Sequence, residues 1–293
     1  MKRVGVVGLC QAWGIGNGLF HLLEDAEVSS YAVADLMEPN RLAEAEKILS
    51  RCDVVFSHYL PDQLGSLRTE SLKKNISNVI EVPPIIFTGF HPDCIAFSYE
   101  EARVFPGYHS AIIAASYSMG ILADQVLPLF NKFVFKKLGY YEEFFKSRLY
   151  LGQLMASYGL DISEEWSDWM ASGIFMHSFN HPKPLVMASL AKLLAIKAGL
   201  VTKRTPTPEV NLDFLGGIPT WPVYPEIAEA FGVKGSYVFS QMSEHFSGGS
   251  HNLLSLRDFI DLSYERYAAA PAELFEIETI AKVRNNLMAL PFA

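Results

Sequence analysis

Cysteine is scarce in this chain: Cys10, Cys52 and Cys94 are the only three among 293 residues. Their odd number and spacing fit neither a disulfide framework nor a zinc site, so reduced thiols are expected. Basic residues are also in deficit, 24 Lys and Arg against 32 Asp and Glu, for a net charge of −8. Without a basic stripe there is no electrostatic footprint for a nucleic acid, and any anionic ligand must be held by a few local groups. Long apolar runs are missing as well. Residues 111–130 come nearest, but Ser116, Ser118, Asp124 and Gln125 interrupt them, which fits a buried helix and not a membrane span of about 20 residues. The apolar stretch after Lys2 and Arg3 is short and broken by Gly5 and Gly8, so no secretory signal is read and a cytoplasmic protein is expected. Internal repeats and low-complexity tracts are absent too.

What remains is a chain half apolar and 13% aromatic, ample for a sizeable core. In the first hundred residues strand-like and helical runs alternate. Residues 4–7, 28–36 and 52–56 read as strands, and 79–82 and 85–88 as further short β pieces around Pro83 and Pro84; 19–24 and 38–49 read as helical. Such alternation is the pattern of a parallel sheet. After Tyr108-His109-Ser110 the texture changes: 111–130, 141–158, 164–172, 184–197 and 258–270 carry apolar residues at helical spacing. The expected fold is α/β, an N-terminal parallel sheet of Rossmann-like or SGNH-like type with a mainly helical C-terminal elaboration. Residues 1–110 would form the nucleophile and cofactor-binding region and 111–293 a helical region packed on it, in one compact unit. Thr205-Pro206-Thr207-Pro208 and Gly216-Gly217-Ile218-Pro219 read as loop punctuation, too short for a domain linker.

Cys10 follows the first strand, in Gly8-Leu9-Cys10-Gln11, ahead of a helical segment. Ligands of α/β proteins bind beyond the carboxyl ends of the strands, and a thiol near a helix N-terminus feels a field that lowers its pKa. The competing reading is a buried small hydrophobe. A dinucleotide fingerprint fits poorly, because counting from Gly8 its third and sixth positions are Cys10 and Trp13; Gly14, Gly16 and Gly18 nevertheless make a glycine-dense turn, and Asp35 ends the second strand. Ser57 and His58 lie just past the third strand. His177, Asn180 and His181 cluster ahead of a helix that Pro184 can start. A histidine within reach of Cys10 could hold a thiolate or deprotonate an alcohol, with His181 preferred and His177 next; satisfied structural imidazoles are the alternative. Asp93, in Phe90-His91-Pro92-Asp93-Cys94, could orient such a histidine or simply cap a turn. His91, Asp93, His177 and His181 could also ligate a metal, but the window from His177 to His181 holds Ser-Phe-Asn and precedes a proline, so no metal is expected.

Gly8-Leu9-Cys10-Gln11, Gly89-Phe90-His91-Pro92-Asp93, Tyr108-His109-Ser110, residues 175–182 and Pro222-Val223-Tyr224-Pro225-Glu226-Ile227-Ala228, in that order, resemble the WcbI-type polysaccharide biosynthesis proteins. Those are regarded as acetyltransferases that bind coenzyme A and act in bacterial capsule biosynthesis. The resemblance spans most of the chain and implies an acetyl-CoA-dependent O-acetyltransferase acting on a sugar of a polysaccharide precursor. Two routes fit. In one, Cys10 becomes an acyl-enzyme, Gln11 or helix-start amides hold the oxyanion, and His181 activates the sugar. In the other, a histidine deprotonates the sugar for direct attack on acetyl-CoA, and Cys10 only shapes the pocket. Coenzyme A would meet Gln11, Ser57, His58, Ser110 and Asn180, with its phosphates on Lys183 or on the amides of a helix starting at Ser110. One departure is that the family's Gly-Asn-Cys-Gln is Gly-Leu-Cys-Gln here, which leaves the acceptor open. Rival readings are an SGNH-like esterase and a non-catalytic coenzyme A- or nucleotide-binding scaffold. A homo-oligomer is compatible with all of them.

Overall fold

The computed structural model describes residues 1–60, 62–97, 107–203, 212–216, 219–242 and 251–290. Thr205-Pro206-Thr207-Pro208 and positions 217 and 218 lie outside the described residues. Two compact units are built from interleaved segments, the first from 1–86, 150–175 and 181–216, the second from 87–149, 176–180 and 217–293. Their division does not fall at a single point near residue 110. In chain order the first elements are β1 (Lys2–Gly8), α1 (Gln11–Leu22), β2 (Ala26–Ala32), α2 (Pro39–Leu49), β3 (Val54–Ser57), α3 (Thr69–Asn75), β4 (Val79–Glu81), β5 (Cys94–Ala96), β6 (Tyr108–Ser110), α4 (Ala111–Ser118) and α5 (Ala123–Val126). Then come α6 (Lys132–Leu138), α7 (Tyr140–Ser157), α8 (Ser163–Ala171), β7 (Met176–Ser178), β8 (His181–Pro182), α9 (Pro184–Lys197), α10 (Pro225–Phe231), β9 (Val238–Met242), β10 (His251–Ser255), α11 (Leu256–Tyr267) and α12 (Glu278–Met288).

The first unit holds a four-stranded, all-parallel sheet in the order β2-β1-β3-β4. Central β1 needs apolar residues on both faces, and Val4, Val6 and Val7 are all buried. Val4 pairs with Val28 on one side and Val54 on the other. On one face, Ala45 and Leu49 of α2 join Val7, Val55 and Leu60 in a buried apolar cluster. The second strand is shorter than its apolar run suggests: β2 stops at Ala32, and Asp35 starts a separate 3-10 turn. Residues 85–88 form no strand, since Pro83 and Pro84 have no N–H with which to continue a ladder.

Gly14, Gly16 and Gly18, which read as a turn, lie inside α1. A Cβ on Gly18 would stand 2.7 Å from the Ala191 Cβ of α9, one on Gly14 2.8 Å from Met187 Cγ, and one on Gly16 2.5 Å from the Ser30 Cβ of β2. The three positions give α1 the smooth sides it needs to approach both neighbours. Helix propensity alone favours alanine at Gly18 by about 1 kcal/mol, but overpacking costs about 1–3 kcal/mol. Because Ala191 Cβ has no rotamer with which to yield, Gly18→Ala is expected to be destabilising by about 1–2 kcal/mol in urea unfolding. A more stable variant would refute the close approach.

In the second unit a two-stranded antiparallel ribbon, β5 with β6, places Cys94 opposite Ser110. That register carries Asp93 to the start of α4. The helical pattern over 111–130 is broken in the structure: α4 ends at Ser118, left-handed Gly120 (φ 73°) reverses the chain, and α5 is a separate short helix. Elsewhere in this unit Phe87, Phe90 and Phe144 pack edge to face at 5.3–5.6 Å, and Phe231 stacks on Phe144 at 4.1 Å. Among the described residues, no helix is long and apolar enough to cross a membrane.

Candidate active site

The chain pairs β1 with β2 on one side and then returns to pair β1 with β3 on the other. The crevice beyond the carboxyl ends of β1 and β3 is therefore the switch point at which open α/β sheets take ligands. Gly8-Leu9-Cys10 and Ser57-His58-Tyr59 stand there. No side chain caps the start of α1; Ala12 N there donates to Leu9 O (2.9 Å). The backbone amides of Gln11 and Cys10 draw the Cys10 thiol down, but burial outweighs them and pushes it above its ordinary value. The resting thiol is protonated, contrary to the expectation of a helix-lowered pKa, because desolvation exceeds the field of the helix end.

His58 is 1% exposed and packs on the backbone of Gly8, where a Cβ would come within 1.9 Å of its Nδ1. Its main chain is firmly held: the amide donates to Val7 O (3.0 Å), and the carbonyl accepts from Ser57 Oγ (2.7 Å) and Thr69 Oγ1 (3.2 Å). Ser57 is thereby turned to the backbone, away from the ligand role read for it. Neither His58 ring nitrogen has a partner among the described residues, at a cost of about 1–3 kcal/mol for each unmet polar atom. Burial lowers the His58 pKa to about 4 and keeps the ring neutral.

Gln11 donates from Nε2 to Ile85 O (2.8 Å) and accepts at Oε1 from Ile85 N (2.9 Å). This strand-like pairing ties Ile85 to the start of α1 and engages the carboxamide oxygen and one of its two Nε2 hydrogens. Asp35 accepts from Trp13 Nε1 (2.8 Å) and Ala32 N (3.0 Å), so the acid of the dinucleotide reading already has partners. His181, buried at the start of β8, and half-buried Lys183 also belong to the first unit. Pro184 opens α9 as the sequence suggests. Burial pushes the Lys183 ammonium down, against the pull of Asp213.

The second unit holds Asp93, Ser110, His91, His177 and Asn180. Asp93 Oδ1 accepts from Ile112 N (2.9 Å) and Tyr140 OH (2.8 Å), and Oδ2 from Ser110 Oγ (2.5 Å) and Tyr224 OH (2.7 Å). Ser110 Oγ also accepts from Ile113 N, capping α4. Desolvation pushes the Asp93 carboxyl up to about 6, against the pull of those four bonds. A carboxylate offers about four acceptor positions, so none is left to orient a histidine, and the α4 N-terminus expected to take a phosphate is filled by the chain's own acid. Tyr140 and Tyr224 were not legible as partners of Asp93. Asn180 Oδ1 accepts from Tyr108 OH (2.7 Å) and Ser178 Oγ (3.0 Å), and the carbonyl of buried His177 accepts from Trp221 N (2.8 Å). His91 is buried with its ring edge-on to Phe90. Among the described residues, no group of three His, Cys, Asp or Glu is placed to hold a metal ion.

The family model described as polysaccharide biosynthesis enzyme WcbI matches residues 3–203. The chain belongs to the WcbI family. A solved structure described as WcbI, a novel polysaccharide biosynthesis enzyme, in its native form without a disulfide bond between coenzyme A and one of its cysteines, is similar over 98% of both chains. Its TM-score is 0.68 and its identity 16%, a likeness that establishes the fold. No curated protein matches. As a WcbI-family member, the chain is a polysaccharide biosynthesis enzyme, and the WcbI match includes Cys10, His58, Asp93, Ser110 and His181.

Proposed function

We propose that this protein is an acetyl-CoA-dependent O-acetyltransferase that acylates a sugar hydroxyl of a polysaccharide precursor through Cys10, in the cytoplasm and during capsule assembly. The observation that carries the reading is Cys10 at the uncapped start of α1, on the β1/β3 switch point of a WcbI-family fold. The similar solved structure, described in terms of coenzyme A and a cysteine, supports the same ligand class. Acetyl-CoA would supply an activated acyl group as a thioester. Cys10 Sγ bonds to the acyl carbon, and the proton it loses goes to the departing sulfur. His181 then takes the proton of the sugar hydroxyl as that oxygen displaces Cys10, and passes it to the Cys10 sulfur. Lys183 is assigned to a phosphate of the ligand.

Thermal-shift titration tests the ligand class directly. Coenzyme A or acetyl-CoA at about 100 times its dissociation constant should add about 2.7 kcal/mol of stability, which raises Tm by about 4–5 °C for a chain of this size. Intact-mass analysis after acetyl-CoA should then find one acetyl group on Cys10. A response to NAD or NADP alone would overturn the reading. Ester cleavage without coenzyme A binding would replace it with the hydrolase, and binding without any turnover with the scaffold.

A further inference from the structure

His58 has no role in the two steps above, yet it is a buried imidazole with both nitrogens unmet among the described residues. An orphan of this kind in a native fold calls for a bound molecule or a catalytic task. Its position narrows the task. The ring rests on the Gly8 backbone, and Gly8 leads through Leu9 to Cys10 at the start of α1. Leu9 and Tyr59, beside Gly8 and His58 in the chain, are 47% and 70% exposed, so these two loops lie at the protein surface. No hydrogen bond joins the ring to Cys10, which excludes a resting thiolate–imidazolium pair.

We propose that His58 is the oxyanion donor of the site: its ring N–H receives the carbonyl oxygen of the acyl thioester as Cys10 attacks. The proposal rests on the acyltransferase reading. As the Cys10 Sγ–carbon bond forms, the carbonyl electron pair moves onto the oxygen held by His58. When that pair returns, the bond from carbon to the sulfur of coenzyme A breaks, and that sulfur takes the proton given up by Cys10. A neutral imidazole always carries one N–H, and burial keeps His58 neutral at physiological pH, which suits a donor and not a base. Gln11, the other side chain considered for this role, has its carboxamide oxygen and one of two Nε2 hydrogens engaged by Ile85.

Two measurements test this. In His58→Leu, acetyl-CoA cleavage should fall about 10²–10³-fold while the dissociation constant for free coenzyme A, which has no acyl carbonyl, changes less than about threefold. His58→Gln, which restores an N–H, should recover part of the loss. In wild-type protein labelled with ¹⁵N-histidine, the His58 N–H resonance should move when an uncleavable ketone analogue of acetyl-CoA binds, and move much less with coenzyme A. Failure of coenzyme A to bind the wild type would sink the acyltransferase reading itself. Binding with identical His58 resonances for the two ligands, or full turnover in His58→Leu, would overturn the donor role alone. Should His58→Leu fail to fold, the wild-type resonances decide.

Discussion

Cys10→Ser is expected to lower acetyl transfer by at least about 10³-fold while the protein stays folded and still gains stability from coenzyme A. Serine preserves shape at this half-buried position, but its hydroxyl holds its proton far more tightly than a thiol. The His58 ring is not bonded to Cys10 to remove that proton, and the sulfur meets the backbone amides of Gln11 and Cys10. A thiol whose pKa is already raised by burial leaves little margin, and an alcohol leaves none. Turnover is followed by release of free coenzyme A and the intermediate by intact mass, which should show no acetyl adduct on the variant. Near-normal turnover in Cys10→Ser or Cys10→Ala would mean that the sugar attacks the thioester directly.

Asp93→Ala should produce a large loss of stability, about 4 kcal/mol or more, seen as a Tm lower by about 6 °C or more. It would strip the acceptor from Ile112 N, Ser110, Tyr140 and Tyr224 together, in a place without solvent. Asp93→Asn separates charge from shape. Asp93 has a pKa near 6 in the fold against an ordinary 3.8, so between those values the folded chain holds a proton that the unfolded chain has lost. Its contribution to stability is therefore fullest below 3.8 and is lost as pH rises through 6. His58 and His109, lowered to about 4 and about 3 by burial, act with the opposite sign: the unfolded chain takes protons that the fold refuses, and stability is lost as pH falls below 6.5. The gap between wild type and Asp93→Asn should accordingly shift in favour of wild type as pH is lowered from about 7 to about 5. An unchanged gap would show that Asp93 does not titrate in this range.

Where a local pattern suffices, the chain was readable. Helix α9 runs over 184–197 as expected because Pro184 starts it and apolar spacing continues without a break. Strand β1 was equally plain from three buried valines, and with it the place of Cys10 just past the carboxyl end of that central strand. Partners far along the chain were not readable. Gly14, Gly16 and Gly18 have the composition of a turn, and only the approach of Met187, Ala191 and Ser30 explains them as the side of a helix. Asp93 was visible beside His91, but nothing local announces Tyr140 and Tyr224. The direction of the Cys10 shift depends on burial that only the assembled fold supplies, and His58 could be named without any sign that its nitrogens would go unmet.

The bond from Tyr224 to Asp93 joins residues 131 positions apart in the chain. During synthesis, Asp93, Ser110 and Tyr140 have all left the ribosome long before Tyr224, so the carboxylate waits, short of one donor and of the layer that buries it. Closure of such a distant contact is slow, and the exposed aromatic surface around it is open to wrong associations in the meantime. A nascent chain halted before residue 224 should therefore be held open and protease-sensitive through its second unit, whatever the state of the parallel sheet already made.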